Sequence, residues 1–221
     1  MAGQVHNEHL RILGPTLGPL YHALYNEVTW LHAKWKQYGL LFAESQERVD
    51  LLNEVAGFFF LLIQEVLWED IILHIARLTD PPQSVGKDNL TLLRLAEAVH
   101  DPALSAQIAS LVEQARTEAE FARVWRHRHL AHRDLNLAVD RQAAPLPGVS
   151  RESMERVLEA IRAVLNKIEG YFWQSQVAFT RFLAPDDAER LAYYLKVAID
   201  AEGRQRERLL QGRPLPEDFE M

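Results

Sequence analysis

Arg126-His127-Arg128-His129-Leu130-Ala131-His132-Arg133-Asp134 is the stretch on which the reading of this chain turns. It holds three of the nine histidines. Four arginines lie from Arg123 to Arg133 with no carboxylate among them, in a protein whose formal net charge is -7. Histidine changes charge near neutral pH, and arginine presents a fixed fork of donors that suits phosphate oxygens. The segments on either side decide what kind of scaffold carries this concentration of cations.

Upstream, Leu20, Leu24, Val28, Leu31 and Trp35 recur at spacings of three and four, which predicts a helix from about Leu20 to Ala43 after the Gly14-Pro15 and Gly18-Pro19 breaks. Ser45 is suited to cap a second helix running to about Leu78. Its run Phe58-Phe59-Phe60-Leu61-Leu62-Ile63 is apolar all round, so it is expected at the centre of a bundle. Asp80-Pro81-Pro82 ends that helix, and Asn89 is placed to cap a short one over Leu90 to His100. Pro102, after Asp101, suits the first turn of a helix reaching Asp134, with the Arg/His cluster in its last turns.

Downstream, Asn136 to Val149 carries two prolines and a glycine and reads as an exposed connection. Ser150 caps a helix expected to reach Phe182, Ala184-Pro185-Asp186 breaks it, and a last helix runs to about Leu210. The tail Arg213 to Met221 is expected to be loose. No segment alternates with period two. The reading is therefore all-α: a bundle of long up-down helices over residues 1–183 with one short helix. A C-terminal helix and tail, 184–221, pack on the same domain.

Composition narrows the function. There is no cysteine, which removes disulfides, thiolate metal sites and cysteine nucleophiles. The most apolar stretch, Val55 to Ile63, is far short of the roughly 20 residues of a membrane span. Met1 to His9 is polar with no apolar run behind it, so the expectation is a cytoplasmic protein with no membrane partner. An acidic balance argues against nonspecific coating of nucleic acid and leaves room for a local basic pocket.

Several readings of the cluster stand beside each other. Arg126, Arg128 and Arg133 would complement the dipole at a helix C-terminus, with the histidines as half-buried packing groups. His129 and His132 are close enough to share a metal ion, but no carboxylate lies on their turn. A di-iron bundle would need Glu-x-x-His on two helices, and Glu97-x-x-His100 has no second copy on another bundle helix. No metal or other cofactor is expected. Trp30, Trp35, Trp68, Trp125 and Trp173 read as core, with Trp125 singled out by its place beside the cluster. Glu65, Glu69 and Asp70 are candidate partners for the cluster's arginines. Arg204, Arg206 and Arg208, interleaved with Glu207, read as a solvated face.

The segment RHRHLAHRD resembles the Arg-x(4–6)-His signature of HEPN domains. It is closest to the Arg-polar-x-x-x-Ala-His-Arg-Asp variant of abortive-infection proteins of the Abi-U type. Ile75-Ala76-Arg77-Leu78-Thr79-Asp80-Pro81 and the polar loop leading to Asn89-Leu90-Thr91-Leu92 resemble the same group. The resemblance spans roughly Leu20 to Phe182. The bare signature has little weight: with nineteen arginines and nine histidines, roughly two chance matches are expected. Arg94/His100, Arg123/His129 and Arg126/His132 all fit it. Only the last has a polar residue after the arginine and Ala-His-Arg-Asp at its end.

The resemblance implies a metal-independent endoribonuclease acting as a homodimer with both signatures in one cleft. It further implies a toxin or anti-phage abortive-infection effector, held in check by an antitoxin partner of nucleotidyltransferase type. The alternative is a noncatalytic HEPN module that binds RNA, a nucleotide or a protein. By resemblance Arg126 and His132 are the catalytic pair and His127 the polar companion. Arg128, His129 and Arg133 would bind phosphate, and Asp134 would orient His132 or Arg133. His132 would move protons at the 2′-hydroxyl or the leaving 5′-oxygen, and Arg126 would stabilise charge on the phosphate. Helix geometry adds a constraint. Six residues separate Arg126 from His132, about 9 Å along the axis and about 240° around it on an ideal α-helix. Either the helix ends or bends before His132, or the arginine of one chain works with the histidine of another.

Overall fold

The computed structural model describes residues 2–130, 139, 146–181 and 187–219. The fold is an all-α, HEPN-like helical bundle. Among the described residues it comprises α1 (Ala2–Phe42), α2 (Gln46–Leu78), α3 (Leu93–Ala98), α4 (Pro102–Glu118), α5 (Glu120–Trp125), α6 (Arg151–Phe172) and α7 (Asp187–Leu210). A π-helical turn spans Arg126–Leu130 and a 3-10 turn Pro216–Phe219. Strand appears only as a two-residue antiparallel pair, β1 (Gln83–Ser84) with β2 (Lys87–Asp88). None of the described helices is long and apolar enough to cross a membrane.

By contacts the chain divides into two compact units. One is Met1–Lys34 with Trp68–Phe182, and the other is Trp35–Leu67 with Leu183–Met221. In the first, Leu24, Val28 and Leu31 of α1 are buried, as are Ile71, Ile72 and Ile75 of α2 and the apolar stripe of α6 from Met154 to Ile168. Each such side chain removed from water contributes about 1.5–3 kcal/mol. α4 packs on α6, and α3 on α4. A buried hydrogen bond of 2.7 Å, from the Tyr21 hydroxyl to Glu169 Oε1, ties α1 to α6.

Local sequence explains the helix starts. Ser45 Oγ accepts the Arg48 N–H at 3.2 Å. Asp101 Oδ1 accepts that of Leu104 at 2.7 Å with Pro102 in the first turn. Ser150 and Ser153 form a reciprocal capping box. Each such cap is worth about 1 kcal/mol.

The structure differs from the sequence expectations in several places. α1 starts at Ala2, well before Leu20, with Gly14 at φ 78° as the break inside it. That φ is left-handed, open to glycine and costly for other residues. The chain turns back closely enough there that a Cβ on Gly18 would lie 2.9 Å from the Leu10 Cα. Asn89 does not cap α3. Its amide donates to the Pro81 carbonyl and to Ser84 Oγ, holding the β1–β2 loop instead. The helix expected over 102–134 is segmented at Ala119 and again at Arg126.

α6 stops at Phe172, ten residues short of the expected end. Asn166 exchanges hydrogen bonds with the backbone of Val177, and Ser175 Oγ donates to Glu169 Oε2. The following segment is thereby folded back along the helix, which buries Phe179. None of the five tryptophans is fully buried, and Trp30 is 65% exposed. The expected breaks at Ala184-Pro185-Asp186 and through most of 136–149 lie outside the described residues.

The second unit gathers Leu41, Leu52, Phe60 and Ala188 with Leu40, Phe42, Ala56 and Leu195 around them. Gln37 Oε1 accepts the Ala188 N–H at 3.0 Å near the start of α7. The apolar run of α2 is not a bundle centre. Phe60 is buried, whereas Phe58 is 75% exposed and Phe59, Leu61 and Leu62 are exposed as well. Nor is the tail loose over 213–219. Asp218 pairs with Arg208 and accepts the Leu215 N–H at 2.8 Å, and its carbonyl accepts Gln205 Nε2 at 2.7 Å. Arg208 is therefore engaged with the tail and does not belong to a purely solvated face.

His32 makes the first unit sensitive to acid. It is 4% exposed, stacks on Phe179 at 5.8 Å, and its Nε2 has no hydrogen-bond partner among the described residues. Burial, with help from Arg162, pushes its pKa down to about 4. Burial also lowers His9, His22 and His74. A depressed histidine binds its proton more weakly folded than unfolded. Its stabilisation is complete above the unfolded value near 6.5 and is lost as pH falls toward 4. Urea unfolding at pH 7 and pH 4.5 should show a loss of about 2–3 kcal/mol from His32 alone. His32→Leu should reduce the difference between the two pH values by about that amount.

Candidate functional site

The site is built where the end of α2 meets the π-helical turn. α2 stops at Leu78 because Pro81 cannot continue it and disfavours helical backbone at Asp80. Thr79 Oγ1 turns back to the Ile75 carbonyl at 3.0 Å. The freed carbonyls of Leu78 and Asp80 accept Thr91 Oγ1 at 3.0 and 2.8 Å. Arg94 closes the loop, donating to the Asn89 and Pro82 carbonyls at 2.8 and 2.6 Å and pairing with Asp88. A segment that reads as a polar loop is thus held at both ends, and the Asp80 side chain with it.

Asp80 Oδ2 forms an ion pair with Arg126 Nη1, across 46 positions of sequence. The Asp80 side chain is 13% exposed and that of Arg126 35%. Burial lifts the Asp80 carboxyl above its ordinary range, while Arg126, Arg123 and Arg77 pull it down. Arg123 reaches the same corner, donating to Thr79 Oγ1 at 3.4 Å and to the Arg116 carbonyl at 2.7 Å, and pairs with Glu120. Three guanidiniums thus act on one carboxylate, one of them, Arg123, also paired with Glu120. Asp80 also lines a cavity of about 370 Å³ together with Glu27, His74, Arg77, Asp88 and Asn89.

At Arg126 the backbone widens from α to π geometry, a feature often found where a helix carries function. His127 is exposed and Arg128 half-buried. His129 Nε2 lies 3.3 Å from Glu69 Oε1, and the ring meets Trp125 edge to face at 5.7 Å. Trp125 is itself fixed by its Nε1–H, donated to the Pro147 carbonyl at 2.9 Å. His132, Arg133 and Asp134 lie outside the described residues.

Of the predicted residues, the structure therefore brings Arg126 and His129 onto one turn, the first paired with Asp80 just beyond α2 and the second with Glu69 on α2. Among the three acids considered from α2, Glu69 faces the cluster. Asp70 pairs with Lys34 at 2.5 Å, and Glu65 is exposed. Asp80 was not singled out from sequence. An Asp-Pro reads first as a helix stop, and nothing local in sequence names an arginine 46 positions on as its partner. No group of three or more histidine or acidic side chains among the described residues is placed to hold a metal ion.

A family model described as HEPN_AbiU2, AbiU2, matches residues 15–191. That span covers most of the chain and includes both the α2 terminus and the π-helical turn. The protein belongs to the AbiU2 family of HEPN domains. Neither a curated protein nor a solved structure matches it.

Asp80→Ala should destabilise the protein by about 2 kcal/mol, because it leaves a partly buried guanidinium without its charge partner. A double-mutant cycle with Arg126→Ala, read by urea unfolding, should return a coupling of about 1–2 kcal/mol. Additive losses would show that the pair does not hold α2 to the turn.

Proposed function

We propose that this protein is a metal-independent endoribonuclease of HEPN type that serves as a toxin or anti-phage abortive-infection effector. The observation that carries this reading is the placement of Arg126. The signature arginine is not a floating end charge: it opens the turn where the helix changes geometry, and its guanidinium is held by Asp80. Arg126 binds a phosphate of the RNA backbone and stabilises the charge that grows on its non-bridging oxygens. His132 takes the proton of the ribose 2′-hydroxyl, with His127 as its polar companion. Arg128, His129 and Arg133 draw the strand in, and Asp134 orients its neighbours.

Attack by the 2′-oxygen yields a 2′,3′-cyclic phosphate and a free 5′-hydroxyl, and leaves DNA untouched. The working unit is a homodimer, which brings two signatures to one RNA strand. Its activity is restrained by an antitoxin partner of nucleotidyltransferase type. The place of action is the cytoplasm, where the RNA is.

A second reading draws on the same ion pair. An arginine already neutralised by Asp80 also suits a noncatalytic module in which the cluster binds RNA, a nucleotide or a protein without turnover.

Incubation of the purified protein with single-stranded RNA in EDTA separates the two. The ribonuclease reading expects cleavage to 2′,3′-cyclic ends, reduced at least about 100-fold by Arg126→Ala and by His132→Ala at unchanged fold. Binding that Arg126→Ala weakens, with no product from the wild type, would establish the noncatalytic module in its place.

A further inference from the structure

The cavity of about 370 Å³ beyond the end of α2 has polar walls that differ in what they already hold. Asn89 is committed to the loop, donating to the Pro81 carbonyl and to Ser84 Oγ. Asp88 pairs with Arg94 and accepts from Gln83. Three other groups keep open valences. Arg77 is exposed, and its guanidinium makes no hydrogen bond or ion pair among the described residues. Asp80 gives Oδ2 to Arg126 and leaves Oδ1 open. Glu27 Oε2 lies 2.8 Å from His74 Nε2, which leaves Oε1 open. Glu27 is also backed by a chain of polar groups: Lys34 Nζ donates to His74 Nδ1 at 3.3 Å and pairs with Asp70 at 2.5 Å. An imidazole that accepts at Nδ1 carries its hydrogen on Nε2, the nitrogen nearest the carboxylate. Leu78 and Leu90 supply apolar wall.

One free fork of donors, open carboxylate oxygens and apolar wall are the complement of a guanine base. Guanine offers two acceptors, O6 and N7, on one edge, and arginine is their commonest partner. Its next edge carries the N1 and N2 hydrogens, which a carboxylate accepts. Adenine would set its N6 amino group against the guanidinium, donor against donor. Cytosine and uracil lack the paired acceptors of a purine edge. The same acids are not placed to hold a metal ion among the described residues.

We infer that this cavity is a guanine subsite, in which Arg77 reads O6 and N7 while Glu27 and Asp80 accept the N1 and N2 hydrogens. The base belongs to an RNA strand, because Asp80 is common to the cavity and to the ion pair with Arg126. A phosphate contact carries no sequence information, and a base subsite beside it supplies some. The inference rests on the RNA-binding role given to Arg126 above, and it stands whether or not the strand is cut.

The test measures binding of short 2′-O-methyl RNAs, which have no 2′-hydroxyl to attack, by fluorescence anisotropy. Each is a uridine run with one varied base. Guanine should bind about 10- to 100-fold tighter than adenine at that position. Replacing it by 7-deazaguanine, without N7, or by hypoxanthine, without the N2 amino group, should each cost about 10-fold. Arg77→Ala should abolish the difference between guanine and 7-deazaguanine. Glu27→Gln should shrink the difference between guanine and hypoxanthine. Arg126→Ala should weaken every strand by the same factor, because a phosphate contact ignores the base. Arg77 is exposed, so Arg77→Ala tests the subsite at little risk to the fold, and thermal melts check each variant.

Strands with guanine and adenine that bind equally would overturn the subsite and leave RNA binding at the signature standing. A guanine preference that Arg77→Ala does not change would overturn the assignment to this cavity. Guanosine monophosphate alone should bind far more weakly than the strand. Binding as tight as the strand's would overturn the RNA source in favour of a free nucleotide. A protein that binds none of these RNAs sinks the RNA-binding role of Arg126, and this inference with it.

Discussion

The ion pair between Asp80 and Arg126 is the constraint on which the rest of the site depends. It joins the turn just beyond α2 to the first residue of the π-helical turn, two points that sequence places 46 positions apart. Neither partner could be left alone at low cost, because a partly buried charge without its counter-charge loses solvation and gains nothing in return. The surrounding hydrogen bonds serve that pair. Thr91 occupies the carbonyls that α2 leaves open, Arg94 closes the loop beyond, and Arg123 ties Thr79 to the body of α4. These groups are thereby ordered by the fold itself, with no ligand needed to place them.

Segmentation of the helix that leads into the cluster has a related consequence. A straight α-helix would put Arg126 and His132 on different faces. Over the described residues Arg126–Leu130 the wider π-helical turn changes the direction in which successive side chains leave the axis. On that turn His129 meets Glu69, and Trp125 reaches the connection at Pro147. Charge is distributed to match. The protein is acidic overall, and at this corner Arg126, Arg123 and Arg77 converge on the one Asp80 carboxylate.

Much of this was legible in the residues. The helix starts follow from Ser45, Asp101 and Ser150, whose side chains accept the N–H groups that a helix leaves open. The signature could be read because Arg126, His127 and Ala131 to Asp134 all fall within nine successive positions. What failed to read had a common cause. The Phe58 to Ile63 run looks like a bundle centre, because hydrophobicity alone does not say which apolar residues find a covering surface. The end of α6 has no signature in the sequence, because Asn166 and Ser175 draw the chain back by side-chain bonds that carry no periodic signal. Asn89 reads as a cap because its type favours one, while the loop gives its amide other acceptors.

Sequence by itself determined that this chain is helical, that it lacks cysteine chemistry, and that its Arg/His cluster carries the mark of a HEPN domain. These properties reside in composition, spacing and adjacent residues, which are local quantities. Only the tertiary structure decided that Asp80 is the partner of Arg126, that Glu69 rather than Asp70 faces His129, and that the helix changes geometry at the signature arginine. The physical reason is range. Salt bridges and hydrogen bonds act over a few ångströms in space, and which groups come that close is settled by how the helices pack, not by their order along the chain.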